Sequence, residues 1–109
     1  AGFVGKPVDG RRGDLIISGG ENIWPAPVEE SLSGLASIAE VAVVGRPDDE
    51  WGHVVTAIIV AADASQPPTL DELRDHVKQT LPAYCAPRRI ELLDSLPRTP
   101  LGKIQRRLL

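Results

Sequence analysis

The sequence predicts a small α+β domain, with a sheet of about three strands plus a short N-terminal hairpin, flanked by helices. Three observations predict this fold. Residues 41–44 and 54–62 are almost continuously apolar and bounded by turn residues, as buried strands are. Two further segments carry apolar residues at helical spacing, and a glycine pair follows a short apolar run near the start. The chain of 109 residues is long enough to bury one core.

The hairpin and the first helix are predicted in the first third of the chain. Residues 15–17 form a short apolar strand that stops shortly before Gly19 and Gly20. Adjacent glycines suit a plain hairpin turn or the close approach of a ligand, and their spacing does not separate the two. A helix is predicted to begin at Pro25, a residue suited to the first turn. Its apolar face comprises Val28, Leu32 and Leu35.

A turn and a second helix are predicted in the middle of the chain. Residues 45–49 are expected to form the turn between the two buried strands, which then pair antiparallel. The acidic residues 48–50 are expected to be solvated in that turn. Thr69 and Glu72 have the spacing of a capping box, which predicts a helix start. The apolar stripe of this helix comprises Leu70, Leu73, Val77 and Leu81.

The C-terminal segment combines a short strand with a basic tail. Residues 89–93 are predicted to form the strand, residues 96–102 to be irregular, and residues 104–109 to begin a helix. From residue 82 onward the charge is +4 in a chain of net charge −3, which leaves −7 on the remainder. A basic end suggests an anionic small molecule, nucleic acid or simply a solvated surface. Nucleic acid ranks low because aromatic residues do not alternate with these charges.

Composition argues against several classes of protein. Cys85 is the single cysteine and cannot form an internal disulfide, which fits a reducing compartment, and its expected role is packing. No apolar run approaches the roughly 18 residues of a membrane span, and no signal peptide opens the chain. His53 and His76 have no metal-ligating partner at useful spacing. We therefore expect a cytoplasmic protein with no membrane span and no metal site.

Three segments have a more specific sequence pattern. The first is Gly-Arg-Arg-Gly-Asp-Leu-Ile-Ile-Ser-Gly-Gly-Glu-Asn-Ile at residues 10–23. The second is Val-Val-Gly-Arg-Pro-Asp at residues 43–48, followed by Trp51-Gly52. The third is Leu-Pro-Arg-Thr-Pro-Leu-Gly-Lys at residues 96–103. Each segment alone is a weak signal, whereas the three in register are a strong one.

In this order and spacing the three segments resemble the C-terminal domain of the adenylate-forming superfamily, which includes acyl- and aryl-CoA synthetases. The resemblance covers residues 10–109 and leaves residues 1–9 as an unmatched lead-in segment. The Ser-Gly-Gly-Glu-Asn-Ile version looks like the CoA-ligase branch. The resemblance implies ATP with Mg²⁺, a carboxylic acid and CoA as substrates. It also implies a partner, an N-terminal adenylation domain, with which these substrates are mainly bound.

The resemblance also implies roles for individual residues. Lys103 matches the catalytic lysine, whose ammonium offsets charge on the carboxylate and the α-phosphate during adenylation. Gly19 and Gly20 match glycines that line the pantetheine tunnel. Trp51 lies where some aryl-CoA ligases place a tryptophan against the CoA adenine, although an aromatic residue that plugs the turn fits this position equally. Arg88 lies where those ligases use a basic residue for the CoA phosphates.

Two further residues fall on the hinge motif of the superfamily. Arg11 matches the arginine that begins this motif, and Gly13 falls at the hinge position, where the family generally has Asp or Lys. Glycine frees the backbone there but removes charged contacts. The resemblance implies the mobile C-terminal domain of an ATP-dependent acyl- or aryl-CoA ligase, inactive in isolation. The alternative is a stand-alone, non-catalytic binding module with the same fold, which Gly13 and the unmatched start motivate.

Overall fold

A computed structural model describes residues 15–97, Pro100 and Leu109. In chain order the elements are β1 Ile16–Ser18, β2 Glu21–Ile23, α1 Pro25–Leu32, β3 Ile38–Asp48, β4 Gly52–Ala61, α2 Leu70–Lys78 and β5 Arg89–Leu92. A short 3-10 helix, Ala83–Cys85, precedes β5. The helix predicted to begin at residue 104 lies outside the described residues.

The five strands form one sheet around β4. On one edge β3 pairs antiparallel with the whole length of β4. On the other edge β5 pairs parallel with residues 56–59 of β4, and the β1–β2 hairpin joins where Ser18 lies opposite Gly52. The predicted α+β fold is therefore confirmed. Its three main strands and its N-terminal hairpin belong to a single sheet.

Both faces of β4 are covered, and this explains its continuous apolar sequence. The larger cluster lies under the helices, where four helical side chains are fully buried: Val28, Leu32, Leu73 and Val77. The opposite face carries a smaller cluster of Ala42, Ile58 and Leu96, against which Val44, Val60 and Leu109 pack. Residues 54–59 are accordingly all buried. Each of the larger aliphatic side chains contributes roughly 1.5–3 kcal/mol by leaving water.

The two helices begin where the sequence predicts. Thr69 and Glu72 form the expected capping box: the Thr69 hydroxyl accepts the Glu72 N–H at 3.2 Å, and the Glu72 carboxylate accepts the Thr69 N–H at 2.9 Å. Helix α1 begins at Pro25 and ends at Leu32, so Leu35 packs against the core from beyond the helix. Within the described part of the chain, no helix has the length and apolar character needed to cross a membrane.

The turn between β3 and β4 lies later in the chain than predicted. Residues 45–48 continue β3, and the turn occupies residues 49–51. The prediction from Gly45 and Pro47 was wrong because pairing with β4 overrides the local composition. Since β3 lies at the edge of the sheet, a proline can stand in it without interrupting the interior ladder.

Arg46 and Glu91 connect β3 to β5 across β4. The Arg46 Nε and Nη2 atoms donate to the two carboxylate oxygens of Glu91, each at 2.9 Å. Arg46 Nη1 also donates to the main-chain oxygen of Leu109. The side-chain hydrogen bond from Arg46 lowers the pKa of Glu91, although partial burial opposes the shift. Arg46 therefore links β3 to β5 through Glu91, and it also binds Leu109, which packs against the smaller cluster.

We expect Glu91→Gln to lower the free energy of unfolding of the chain near pH 7 by about 1 kcal/mol or less, because partly exposed ion pairs are screened by solvent. Folding lowers the pKa of Glu91, so its contribution is complete above the unfolded pKa of about 4.3 and is lost as the pH falls through the folded pKa. Urea unfolding at pH 7 and at about pH 3 measures this change.

The matched control for this measurement is Asp94→Asn, which removes an exposed carboxylate near β5. We expect that control to leave stability nearly unchanged at both pH values. A Glu91→Gln effect of the same size at pH 7 and pH 3 would contradict a role for the ionised carboxylate.

Candidate functional site

Trp51 is held by its backbone at the start of β4. Its N–H donates to Asp48 Oδ2 at 3.0 Å, and its carbonyl accepts the N–H of Gly19 at 3.0 Å. The first contact ties Trp51 to its own turn, and the second ties it to the β1–β2 hairpin. The residue remains 36% exposed. The structure thus presents an indole ring at the surface from a backbone fixed on both sides.

Gly19 and Gly20 form the two-residue turn of the β1–β2 hairpin, with positive φ values of 57° and 87°. Such a turn requires φ > 0 at both central residues, which favours glycine. A Cβ at Gly19 would lie 2.5 Å from Cε3 of Trp51, whereas a Cβ at Gly20 would meet nothing within 4 Å. The hairpin turn is confirmed, and Gly19 has a second constraint that Gly20 lacks. Their lining of a pantetheine tunnel stays a prediction.

Arg88 lies directly over Trp51. Its guanidinium carbon is 4.0 Å from the centroid of the indole ring, which is the geometry of a cation–π contact. The backbone N–H of Arg88 donates to the carbonyl of Val55 in β4 at 2.8 Å, so the main chain is fixed while the side chain is exposed. We call Trp51, Arg88 and Gly19 together the indole shelf. Its aromatic surface and positive charge can bind a planar base and a phosphate.

Asp48 and Arg89 support this shelf, and the sequence analysis did not identify either as functional. Asp48 was predicted to be a solvated turn residue. It is instead the last residue of β3, and its side chain is only partly exposed. Its Oδ2 accepts the N–H groups of Glu50 and Trp51, each at 3.0 Å, and its Oδ1 accepts Arg89 Nη2 at 2.9 Å. The hydrogen bond from Trp51 is the main reason that the pKa of Asp48 is lowered. The sequence did contain a signal for this contact: an aspartate at a turn often accepts the backbone N–H two residues later, here that of Glu50.

Cys85 behaves as the packing residue that the sequence predicts. It lies on the 3-10 helix before β5 and packs partly buried against the larger cluster. Burial raises the pKa of its thiol, and the charge of Glu21 adds to this effect. A raised pKa keeps the sulfur protonated near neutral pH, which does not suit a nucleophile. Among residues 15–97, Pro100 and Leu109, no three His, Cys, Asp or Glu side chains group as a metal ion would require.

The structure therefore brings together three of the predicted site residues: Gly19, Trp51 and Arg88. Three others, Arg11, Gly13 and Lys103, lie outside the described residues. The described residues on either side of Lys103 include Leu96 and Leu109, which both contact the smaller cluster. The hinge and lysine assignments thus stay predictions.

The chain matches the sequence model of the AMP-binding enzyme C-terminal domain over residues 27–103. It is 48% identical over 103 residues to indoleacetate–CoA ligase of Aromatoleum aromaticum, a match that covers 91% of this chain and 19% of that protein. The chain therefore spans about a fifth of the length of this relative.

Solved structures give the same result for the fold. A fatty acyl CoA synthetase from Mycobacterium tuberculosis superposes with a TM-score of 0.83 at 37% identity, covering 90% of this chain and 19% of that one. An o-succinylbenzoate CoA synthetase from Bacillus subtilis, in complex with its acyl-adenylate intermediate, superposes with a TM-score of 0.79 at 43% identity. That match covers 89% of this chain and 19% of the other.

We expect Gly19→Ala to destabilise the chain more than Gly20→Ala. Both substitutions force a positive φ on a residue with a Cβ, at a cost of about 1–2 kcal/mol. Only the first also drives that Cβ into the ring of Trp51, which adds an overpacking cost of about 1–3 kcal/mol. Guanidinium unfolding of the two variants measures the difference.

The Trp51→Ala background isolates the steric part of this effect. Without the ring, the two alanine variants are expected to lose similar amounts of stability. A Gly19→Ala cost that stays larger in that background would show that the ring contact is not its cause.

Proposed function

The chain belongs to the family of AMP-binding enzyme C-terminal domains, and we propose that it acts as the mobile C-terminal domain of an ATP-dependent acyl- or aryl-CoA ligase. In this proposal it supplies the adenylation lysine, Lys103, and part of the binding site for CoA. The observation that carries the proposal is the indole shelf. It brings together residues from three chain segments: the hairpin, the β3–β4 turn and the residue before β5.

The reaction has two steps. In the first, a carboxylate oxygen of the acid attacks the α-phosphorus of ATP, and the α–β phosphoanhydride bond breaks to give acyl-adenylate and pyrophosphate. In the second, the thiol of CoA attacks the acyl carbon, loses its proton, and displaces AMP. Mg²⁺ would accompany ATP, bound mainly by the N-terminal adenylation domain.

Lys103 would act in the first step only. Its ammonium would lie near the acid carboxylate and the α-phosphate, where it offsets negative charge that accumulates as the two groups approach. Lysine suits this task because it is a compact charge on a long stem, able to reach across a gap between domains. Arg11 and Gly13 would serve the rotation between the two steps, with Gly13 as the backbone pivot.

The indole shelf would act in the second step. Arg88 covers one face of the Trp51 ring, and the adenine of CoA would stack on the part of the ring that stays exposed. Arg88 would bring a positive charge for the phosphates. Gly20 would let the thin pantetheine arm pass close to the backbone, because a Cβ there would meet nothing within 4 Å, and Gly19 would line this path with its backbone while leaving room for the ring of Trp51. One edge of the domain would thus hold the nucleotide of CoA and guide the pantetheine arm, whose thiol would reach the acyl-adenylate on the N-terminal domain.

The acid itself is not specified by this domain. The names of similar proteins refer to indoleacetate, a fatty acyl group and o-succinylbenzoate, although each shares this domain at 37–48% identity. Such variety supports an acyl pocket on the N-terminal domain. The carboxylic acid is therefore proposed only as a class, aryl or aliphatic.

We expect Lys103→Ala in the complete ligase to slow adenylate formation by about a hundredfold or more, because one well-placed charge-stabilising group contributes that much. Thioester formation from supplied acyl-adenylate is expected to stay near the wild-type rate. Pyrophosphate release measures the first step, and acyl-CoA production measures the second.

Lys78→Ala is the matched control, since it removes an exposed lysine from the end of α2. It is expected to change neither step. Equal loss of both steps in Lys103→Ala would rule out the assigned role, and a wild-type protein without either step would favour a non-catalytic binding module.

We expect Trp51→Ala to raise the KM for CoA about tenfold and to leave adenylate formation unchanged. Stacking of a base on an aromatic side chain contributes about 1–3 kcal/mol, which corresponds to such a factor. Pantetheine is the control thiol because it lacks the adenine nucleotide, and its KM should be the same for variant and wild type. An unchanged KM for CoA would leave Trp51 as a residue that only fills the turn.

A further inference from the structure

We propose that Asp48 is a positioning residue for CoA binding: its single carboxylate holds both Trp51 and the backbone next to Arg88 in place. This inference rests on the proposed function, because it concerns the same shelf. It adds a residue that touches no substrate. Asp48 is suited to this role because its two oxygens have different partners: one accepts the N–H of Trp51, and the other accepts Arg89, the residue that follows Arg88.

The first oxygen fixes Trp51. Asp48 Oδ2 accepts two successive main-chain N–H groups, those of Glu50 and Trp51, each at 3.0 Å. A carboxylate that accepts backbone N–H groups just ahead of it in sequence stabilises a turn locally. The same Trp51 accepts the N–H of Gly19 on its other side. The Cα from which the indole projects is thereby held between two neighbours.

The second oxygen fixes the start of β5. Asp48 Oδ1 accepts Arg89 Nη2 at 2.9 Å. Arg88 is the preceding residue, and its N–H is bound to Val55 in β4. With the guanidinium of Arg89 engaged by Asp48, the neighbouring guanidinium of Arg88 lies over the ring of Trp51. The contacts form a closed circuit: Asp48 to Trp51, Trp51 to Arg88, and Arg89 back to Asp48.

These contacts matter because Trp51 and Arg88 are both exposed, so their side chains would otherwise be free to change rotamer. Arginine loses about 1.5–2 kcal/mol of rotamer entropy when it is ordered. If the shelf is ordered before the ligand arrives, that cost does not reduce the affinity. Asp48 is the less mobile anchor of the two charged partners by exposure, since its side chain is 23% exposed and that of Arg89 is 46% exposed.

Asp63 offers a matched control. Its carboxylate also orders a local turn, accepting the N–H of Ser65 at 2.9 Å and its hydroxyl at 2.7 Å. It follows the C-terminal end of β4, whereas Trp51 precedes the N-terminal end. The two sites are separated by the length of the strand, about 30 Å. Asp63→Ala thus removes the same kind of contact far from the shelf.

The experiment compares Asp48→Ala with Asp63→Ala in the complete ligase, using CoA and pantetheine as thiols. Asp48→Ala is expected to raise the KM for CoA about fivefold to tenfold, a large part of what base stacking supplies. Adenylate formation and the KM for pantetheine should change by less than about twofold. Asp63→Ala should leave all three quantities unchanged. Equal effects on CoA and pantetheine, or equal effects of the two variants, would overturn the proposal.

A double-mutant cycle separates positioning from general stability. In the Trp51→Ala background the ring is absent, so adding Asp48→Ala should raise the KM for CoA by less than about twofold. An undiminished increase would mean that Asp48 acts elsewhere. Asp48→Asn keeps one oxygen for the two amide N–H groups but loses the charge toward Arg89. It is the second variant should Asp48→Ala fail to fold, with an expected increase of about twofold to threefold for CoA alone.

The outcomes for the two proposals are distinct. A wild-type enzyme that forms no CoA thioester would refute the proposed function and the positioning role with it. A wild-type enzyme that forms acyl-CoA, with both Asp48 variants unchanged in the KM for CoA, would refute the positioning role alone.

Discussion

The burial of β4 on all sides is the constraint on which the rest of the structure depends. Every residue from 54 to 59 is buried, with helices over one face and the smaller cluster over the other. Both edges are paired as well, by β3 on one side and by β5 and the hairpin on the other. A strand with no free face or edge has its position fixed by its neighbours. The loops that begin and end at β4 are therefore attached to a strand of fixed position.

The indole shelf is the direct product of this arrangement. It forms at the N-terminal end of β4, where the hairpin joins at Gly52 and the parallel strand β5 begins beside residues 55 and 56. Although the β1–β2 hairpin, the β3–β4 turn and the residues just before β5 are far apart in sequence, they therefore meet at this end of β4. Trp51 and Arg88 are each held by main-chain hydrogen bonds, while their side chains stay exposed. A fixed backbone beneath exposed side chains suits the nucleotide-binding role proposed for the shelf.

Local chemistry in the sequence was sufficient for the helix starts and the hairpin. Thr69 and Glu72 satisfy each other's N–H groups, and paired glycines favour a turn with positive φ, so both features follow from a few adjacent residues. The end of β3 did not follow, because pairing across the sheet extends the strand through Pro47. The resemblance identified Trp51 and Arg88 separately. Their contact, and the hydrogen bonds of Asp48 to Trp51 and Arg89, depend on the pairing of distant strands, which no local pattern encodes.

The parallel pairing of β5 with β4 has a consequence for the order in which parts of the chain fold. β5 reaches β4 only after a crossover through residues 62–88, so its hydrogen bonds close a long loop, whereas the β3–β4 hairpin closes a short one. Contacts between distant residues cost more chain entropy, so we expect β5 to pair after the β3–β4 hairpin has formed. Trp51 lies in the β3–β4 turn, and Arg88 is the residue that precedes β5. We therefore expect Arg88 to reach the ring of Trp51 only when β5 pairs with β4.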